Sequence, residues 1–236
     1  MYHVLNRGVG RRTLFDKDAD YLAFERVIDE TLRTRPMRIG AYCLMPNHWH
    51  LVLWPQQDGD LPAFMQQLTN THVKRWKQHR QEIGHGHLYQ GRYKCFPLQT
   101  DQHFYDVVRY VERNPLRANR VTLAEEWLWS SASRIARPIV AGTLRVPSAV
   151  SRPDPANTLR VPPAQRFSIL AEWPLPRPSD WITIVNQPQS EAELAALRKC
   201  ADRGRPFGDA NWTDSTARVL GIESTLRARG RPRQRV

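Results

Sequence analysis

Leu44-Met45-Pro46-Asn47-His48-Trp49-His50-Leu51-Val52-Leu53-Trp54 is the stretch that decides how this chain folds. Pro-Asn between two apolar runs signals a tight turn, so Met37 to Met45 and His48 to Trp54 are predicted as the two strands of a hairpin. Alternate side chains of a strand share a face. His48 and His50 therefore point the same way, with Cα atoms roughly 6–7 Å apart, and Trp49 points to the other face. Two imidazoles so placed can reach one divalent ion. A His-x-His pair on its own is more often two half-buried strand residues with hydrogen-bond partners, so its meaning depends on what surrounds it.

Working outward, Tyr2 to Arg7 reads as a strand ended by Gly8 and Gly10. From Asp18, the apolar residues Tyr21, Leu22, Phe24, Val27, Ile28 and Leu32 recur at helical spacing. Asp16 or Asp18 can cap that helix, and Pro36 lies just beyond its end. After the hairpin, Leu61 to His79 is predicted as a helix, Gly84 to Gly91 as a loop, Tyr93 to Leu98 as a strand, and Gln102 to Arg113 as a third helix stopped by Asn114-Pro115. The first six elements give an α+β fold of the ferredoxin-like βαββαβ plan, an antiparallel sheet with helices on one face, and the third helix follows it. Residues 1–136 form this domain. Residues 137–188 are expected to be a poorly ordered Pro-rich linker, in which Thr-Leu-Arg-Val-Pro occurs at Thr143–Pro147 and again at Thr158–Pro162. Residues 189–236 form a small, helical, basic extension, with helices at Glu191 to Cys200 and Asp214 to Leu226, the second entered through Trp212-Thr213-Asp214 as a cap.

The 236 residues carry 35 Lys and Arg against 23 Asp and Glu, a formal charge of +12. That balance favours a polyanionic partner, nucleic acid before a membrane surface. Cys43, Cys95 and Cys200 lie too far apart for a metal-ligand or redox motif, and an odd count fits a reducing compartment. No apolar run approaches the ~20 residues of a membrane span, and no signal-peptide pattern opens the sequence. A cytoplasmic, nucleoid-associated protein without membrane contact is expected.

The third helix holds the second chemical feature. Tyr110 and Asn114 are four residues apart and stack on one helical face. A phenolate can attack a phosphodiester, and an amide oxygen is a hard ligand suited to Mg²⁺ or Mn²⁺ beside imidazoles. Tyr105 is the rival nucleophile. Taken alone, Tyr110 also reads as a core aromatic and Asn114 as a helix C-cap. His85 and His87 repeat the His-x-His pattern, but in a glycine-flanked loop where nothing aims the rings.

Together these pieces resemble a known family. Leu44 to Val52 is similar to the histidine-hydrophobe-histidine strand of IS200-type single-tyrosine transposases, in the HUH endonuclease superfamily. Tyr2 to Gly8, Gln90-Gly91-Arg92-Tyr93 and Arg109 to Ala118 resemble the branch known as REP-associated tyrosine transposases. The resemblance covers about residues 1 to 135. It implies that His48 and His50 are metal ligands with Asn114 as a third, and that Mg²⁺ or Mn²⁺ is the cofactor. It also implies that Tyr110 attacks the scissile phosphate, keeps a 5′-phosphotyrosine and leaves a free 3′-OH, so that the strand can be rejoined. The substrate it implies is single-stranded DNA in hairpin or palindromic-repeat form, handled by a monomer or a homodimer. Arg92, Arg109 and Arg113 are candidates for assisting the tyrosine or gripping phosphate.

Lys74, Arg75, Lys77, Arg80, Arg92 and Lys94 are expected along a phosphate track, with Tyr93 or Trp49 stacking an unpaired base. Gly230 to Arg233 resembles the core of a minor-groove-binding hook, which makes Arg231 and Arg233 further DNA contacts. Two alternatives stand beside the transposase reading: a catalytically silent palindrome-binding protein on the same scaffold, and a metal-dependent nuclease that uses activated water.

Overall fold

The computed structural model describes residues 1–136 and 167–227. Its centre is a four-stranded antiparallel sheet of β1 (Tyr2–Arg7), β2 (Arg38–Met45), β3 (His48–Trp54) and β4 (Lys94–Pro97), in the order β2-β3-β1-β4. The element order and the antiparallel sheet are those of the ferredoxin-like plan expected from the sequence. Between the strands run α1 (Asp18–Thr34) and α2 (Asp60–His79), followed by α3 (Gln102–Glu112).

Strand alternation divides the sheet into two chemically different faces. Val4, Leu44, Trp49, Leu51 and Leu53 project into one core with Phe24, Val27 and Ile28 of α1 and Phe64, Met65 and Leu68 of α2. Ala41, Cys43, Val52 and Phe96 project into a second core against Phe104, Val107, Val108 and Val111 of α3. Cross-strand pairing fixes which face each histidine occupies. His3 lies opposite Val52, Leu5 opposite His50 and Arg7 opposite His48, so all three histidines stand on the α3 face. The alternation predicted for His48, Trp49 and His50 is what the structure contains.

Both sheet edges are covered, which removes two open rows of backbone donors and acceptors. At the β2 edge, Leu44 N–H donates to Trp129 O (2.8 Å) and Ala171 N–H to Ile39 O (2.9 Å). Gly40, the extra residue where the β2–β3 register shifts, receives the Trp173 indole N–H at 2.7 Å. At the β4 edge, Phe207 N–H donates to Pro97 O and Gln99 N–H to Phe207 O, both at 2.9 Å.

Past α3 come α4 (Asn114–Arg117), α5 (Ser131–Ala136), α6 (Trp181–Asn186), α7 (Glu191–Arg203) and α8 (Ala210–Val219). Residues 167–188, which composition alone assigns to a poorly ordered linker, pack onto the sheet and α3. Ile169, Trp181 and Val185 are buried there. Their apolar side chains outweigh the prolines between them. The last helix starts earlier than the sequence indicates: Asp209 caps α8 by accepting from Trp212 N–H at 2.9 Å, and Thr213 is buried inside the helix. The Thr-Leu-Arg-Val-Pro repeat and the Gly230–Arg233 segment, with Arg231 and Arg233, lie outside the described residues.

Candidate active site

β1, β3 and α3 bring four ring side chains together. His3 and His50 stack with ring centroids 5.1 Å apart and planes 4° from parallel, linked through His3 Nε2 and His50 Nδ1 at 2.9 Å. The His48 ring stands 5.1 Å from His50, nearly perpendicular to it. Its Nδ1 meets Asn47 Oδ1 at 2.7 Å, while Asn47 Nδ2 donates to Arg11 O at 3.4 Å and so orients the amide. With Nδ1 donating to Asn47, the neutral His48 ring carries its lone pair on Nε2. His50 likewise presents Nε2 when its Nδ1 donates to His3.

Burial keeps these rings uncharged. His3 is held down to about 3 by desolvation and then by the Arg117 charge. His48 is lowered to about 4, mainly by desolvation and the nearby Arg7, against a counter-effect from the Asn114 side chain. His50 falls well below the ordinary histidine value for the same leading reason, with His3 and His48 adding to it. Metal ligation needs the imidazole lone pair, so neutral rings are the competent form.

Tyr110 closes the group. Its ring lies 6.0 Å from both His3 and His50, edge-on to each. One turn later, Asn114 is buried with its Nδ2 lacking a partner among the described residues. Arg117 places its guanidinium 4.2 Å from the centre of the Tyr110 ring, and its buried Nη1 likewise has no partner among the described residues. A buried donor left unsatisfied costs about 1–3 kcal/mol, which a bound oxygen ligand would relieve. Two imidazoles and an amide oxygen make a donor set that fits a divalent cation. Among the described residues no cluster of three or more His, Cys, Asp or Glu forms a metal constellation, so a cation here needs Asn114 or substrate oxygens to complete its shell.

Residues 1–114 match the family model described as "Transposase IS200 like". The match spans 114 of the 236 residues. The matched segment contains His48, His50, Tyr110 and Asn114. The structure of a REP-associated tyrosine transposase bound to a REP hairpin is similar at a TM-score of 0.49 and 21% identity, covering 65% of this chain and 92% of that one. A crystal structure of a candidate transposase from Deinococcus radiodurans R1 is similar at 0.36 and 18%, covering 50% and 88%. No curated protein matches the sequence.

At these residues the molecule opens into a pocket of about 560 Å³. His48, His50, Tyr110 and Asn114 line it together with the cations Arg7, Arg92, Lys94, Arg117 and Arg198, and Asp202 supplies its one carboxylate. Of the sequence-predicted contacts, Arg92 and Lys94 are therefore at the site. Lys74, Arg75 and Lys77 lie on α2, behind the opposite face of the sheet. There Arg75 pairs with Glu30 (2.7 Å), and Lys77 donates to the carbonyls of His85 and Gly86. Arg80, beyond α2, pairs with Asp16 and Asp20.

Arg109 and Arg113 also serve the fold. Arg109 donates to Gln187 O and Pro188 O, both at 2.9 Å, and Arg113 to Val185 O and Asn186 O at 3.0 and 2.6 Å. The C-terminal carbonyls of α6 are thereby satisfied from α3. The rival nucleophile Tyr105 donates to Pro176 O at 2.7 Å and packs with Trp173 and Trp181, away from the pocket. Trp49 is fully buried on the far face and has no access to a base, and Tyr93 packs partly against that same core.

Sequence reasoning missed His3 and Arg117. The signal for His3 was present, since it alternates with Leu5 and Arg7, but only the strand order puts it against His50. The signal for Arg117 was its place seven residues after Tyr110, two turns along one helical direction. Reading Asn114-Pro115 as a full stop hid it. Pro115 instead sits in the first turn of α4, where a missing N–H costs nothing, and the chain keeps turning.

Proposed function

We propose that this protein nicks and rejoins single-stranded DNA in hairpin or palindromic-repeat form, through a 5′-phosphotyrosine on Tyr110. The observation that carries the reading is the Tyr110 ring lying 6.0 Å from His50 and 4.2 Å beneath the Arg117 guanidinium, in a pocket where Arg7, Arg92 and Lys94 add further positive charge. A phenol poised among imidazoles and cations suits attack on a phosphodiester, whose charge those cations offset.

In the cleavage step the Tyr110 phenol gives up its proton to water, and its oxygen forms a bond to phosphorus. The P–O3′ bond breaks, and the departing O3′ takes up a proton. One phosphoester replaces another, so the reverse attack by a 3′-OH rejoins the strand without an energy source. Arg117 faces the phosphoryl oxygens and Arg92 holds a neighbouring phosphate. His48, His50 and Asn114 would hold Mg²⁺ or Mn²⁺, which when bound polarises a phosphoryl oxygen as a Lewis acid. His3 fixes the orientation of His50 from behind. The protein would act on DNA in the cytoplasm, as a monomer or a homodimer.

The test is incubation with Mg²⁺ or Mn²⁺ and an end-labelled hairpin oligonucleotide, followed by denaturing electrophoresis. A covalent protein–DNA adduct that disappears in Tyr110→Phe is expected. Cleavage that survives Tyr110→Phe would sink the reading in favour of a water-using nuclease.

A further inference from the structure

The pocket wall beside β4 comes from α7, far outside the 114 residues of the transposase family match. Arg198, Ala201 and Asp202, all on α7, line the same pocket as Tyr110. The helix is firmly seated. Leu194, Leu197 and Cys200 are buried in the core that also holds α3 and Phe96. The Phe207 backbone bonds to Pro97 and Gln99 beyond the end of β4. Gly204 ends α7 at φ +69°, in the left-handed region, and a Cβ there would stand 3.4 Å from Cys95 O. Packing therefore fixes α7 beside β4.

That seating gathers like charges. Arg198 adds to the positive field at Arg117, and its carboxylate partner, Glu191, is distant at 3.7 Å and largely exposed. Lys94 pairs with Asp202 across the β4–α7 seam at 2.9 Å, with both side chains more than half exposed. Arg117 and Arg198 repel one another while Asp202 is engaged by Lys94, and a phosphate between the two guanidiniums would offset their repulsion.

We infer that α7 is the second jaw of a clamp on the substrate strand. Arg198 takes a backbone phosphate of the DNA lying at Tyr110, and Asp202 holds Lys94 until the strand displaces it. The inference rests on the single-stranded DNA reading given above. It makes the helix beyond the matched segment part of the binding site for the strand that is cut.

The test uses the full chain carrying Tyr110→Phe, so that binding is read without cleavage. The probe is a fluorescein-labelled oligonucleotide with a self-complementary hairpin and a single-stranded poly(dT) flank, followed by anisotropy over a range of salt. Arg198→Ala is expected to weaken binding about tenfold and to make the slope of log K against log salt shallower by about 0.7, one phosphate contact on a single strand. Arg198→Lys keeps the slope. Asp202→Asn frees Lys94, tightens binding and steepens the slope by a similar amount. Parent binding with slopes unchanged in Arg198→Ala and Asp202→Asn overturns the clamp and leaves the transposase reading intact. A loss in Arg198→Ala that Arg198→Lys does not restore marks a packing defect and also counts against it. A parent chain that does not bind the probe removes both readings.

Discussion

The Arg117 guanidinium lies 4.2 Å from the centre of the Tyr110 ring, in a part of the pocket where its own Nη1 has no partner among the described residues. This pairing holds a permanent cation against the one phenol that also touches His3 and His50. In the proposed reaction a guanidinium here would face the phosphoryl oxygens and offset the charge that builds on them. Arg117→Ala should slow adduct formation about 100- to 1000-fold, in line with the loss of one charge-stabilising donor, and should weaken DNA binding much less. Single-turnover adduct rates and anisotropy on the same preparation would separate the two. An unchanged adduct rate would remove Arg117 from the chemistry.

His3 supports His50 as a second layer supports a ligand. Its Nε2 sits 2.9 Å from His50 Nδ1 and its ring is stacked on the same residue. Partners of this kind typically contribute 10- to 100-fold in metal affinity. His3→Gln should raise by that factor the Mn²⁺ concentration needed for half-maximal cleavage, with little change in the rate at saturating Mn²⁺. A metal titration of wild type and variant decides it, and coincident curves would show that His3 only fills space.

How much of this was legible in the sequence follows from the range of each interaction. The hairpin, the face shared by His48 and His50, and the pairing of Tyr110 with Asn114 are local and follow from strand and helix periods. His3 meeting His50 depends on β1 lying beside β3, which no single segment encodes. The assignments of Lys74, Arg75 and Lys77 depended on which side of the sheet α2 occupies, and α2 packs behind it. In residues 167–188 the prolines suggest a linker, but Trp173 and Trp181 among them are the better signal. Trp181 packs edge-to-face with Trp173 and donates to the buried Glu112 carboxyl at 2.7 Å.

Arg109 and Arg113 give a sharp contrast between a sequence-level and a structural reading. Basic residues flanking a nucleophile suggest phosphate contacts, but their guanidiniums cap four carbonyls from Val185 to Pro188. Arg113→Ala should therefore destabilise the fold by about 1–3 kcal/mol, through bonds lost from a charged donor, and leave the salt slope of DNA binding unchanged. Urea unfolding and salt-dependent anisotropy measure the two effects. A shallower salt slope with intact stability would return Arg113 to the DNA interface.

On the far side of the sheet, Trp49 Nε1 donates to the Tyr89 hydroxyl at 3.0 Å, and that hydroxyl in turn meets His72 Nδ1. The indole is a donor only, so Tyr89 accepts from Trp49 and donates to His72. Trp49 lies between His48 and His50, which makes this chain of bonds the backing of the site strand. His72 is fully buried, and its pKa falls from 6.5 to about 3, through desolvation first and the Arg80 charge second. The unfolded chain binds a proton at His72 near pH 6.5, whereas the folded chain does so only near pH 3. Between those values the unfolded state holds more protons, so stability rises with pH there. The contribution is complete above pH 6.5 and is lost as pH falls toward 3. Each pH unit in that window is worth up to about 1.4 kcal/mol, or about 2 kcal/mol between pH 6.5 and 5. His72→Asn keeps an acceptor for Tyr89 and removes the titration. It should be less stable than wild type at pH 8, by about 1–3 kcal/mol for lost packing, and should lose less on going to pH 5. Urea unfolding at several pH values in EDTA leaves the other face free of metal effects. Parallel stability curves for wild type and variant would show that His72 is not the group whose charging opens the core.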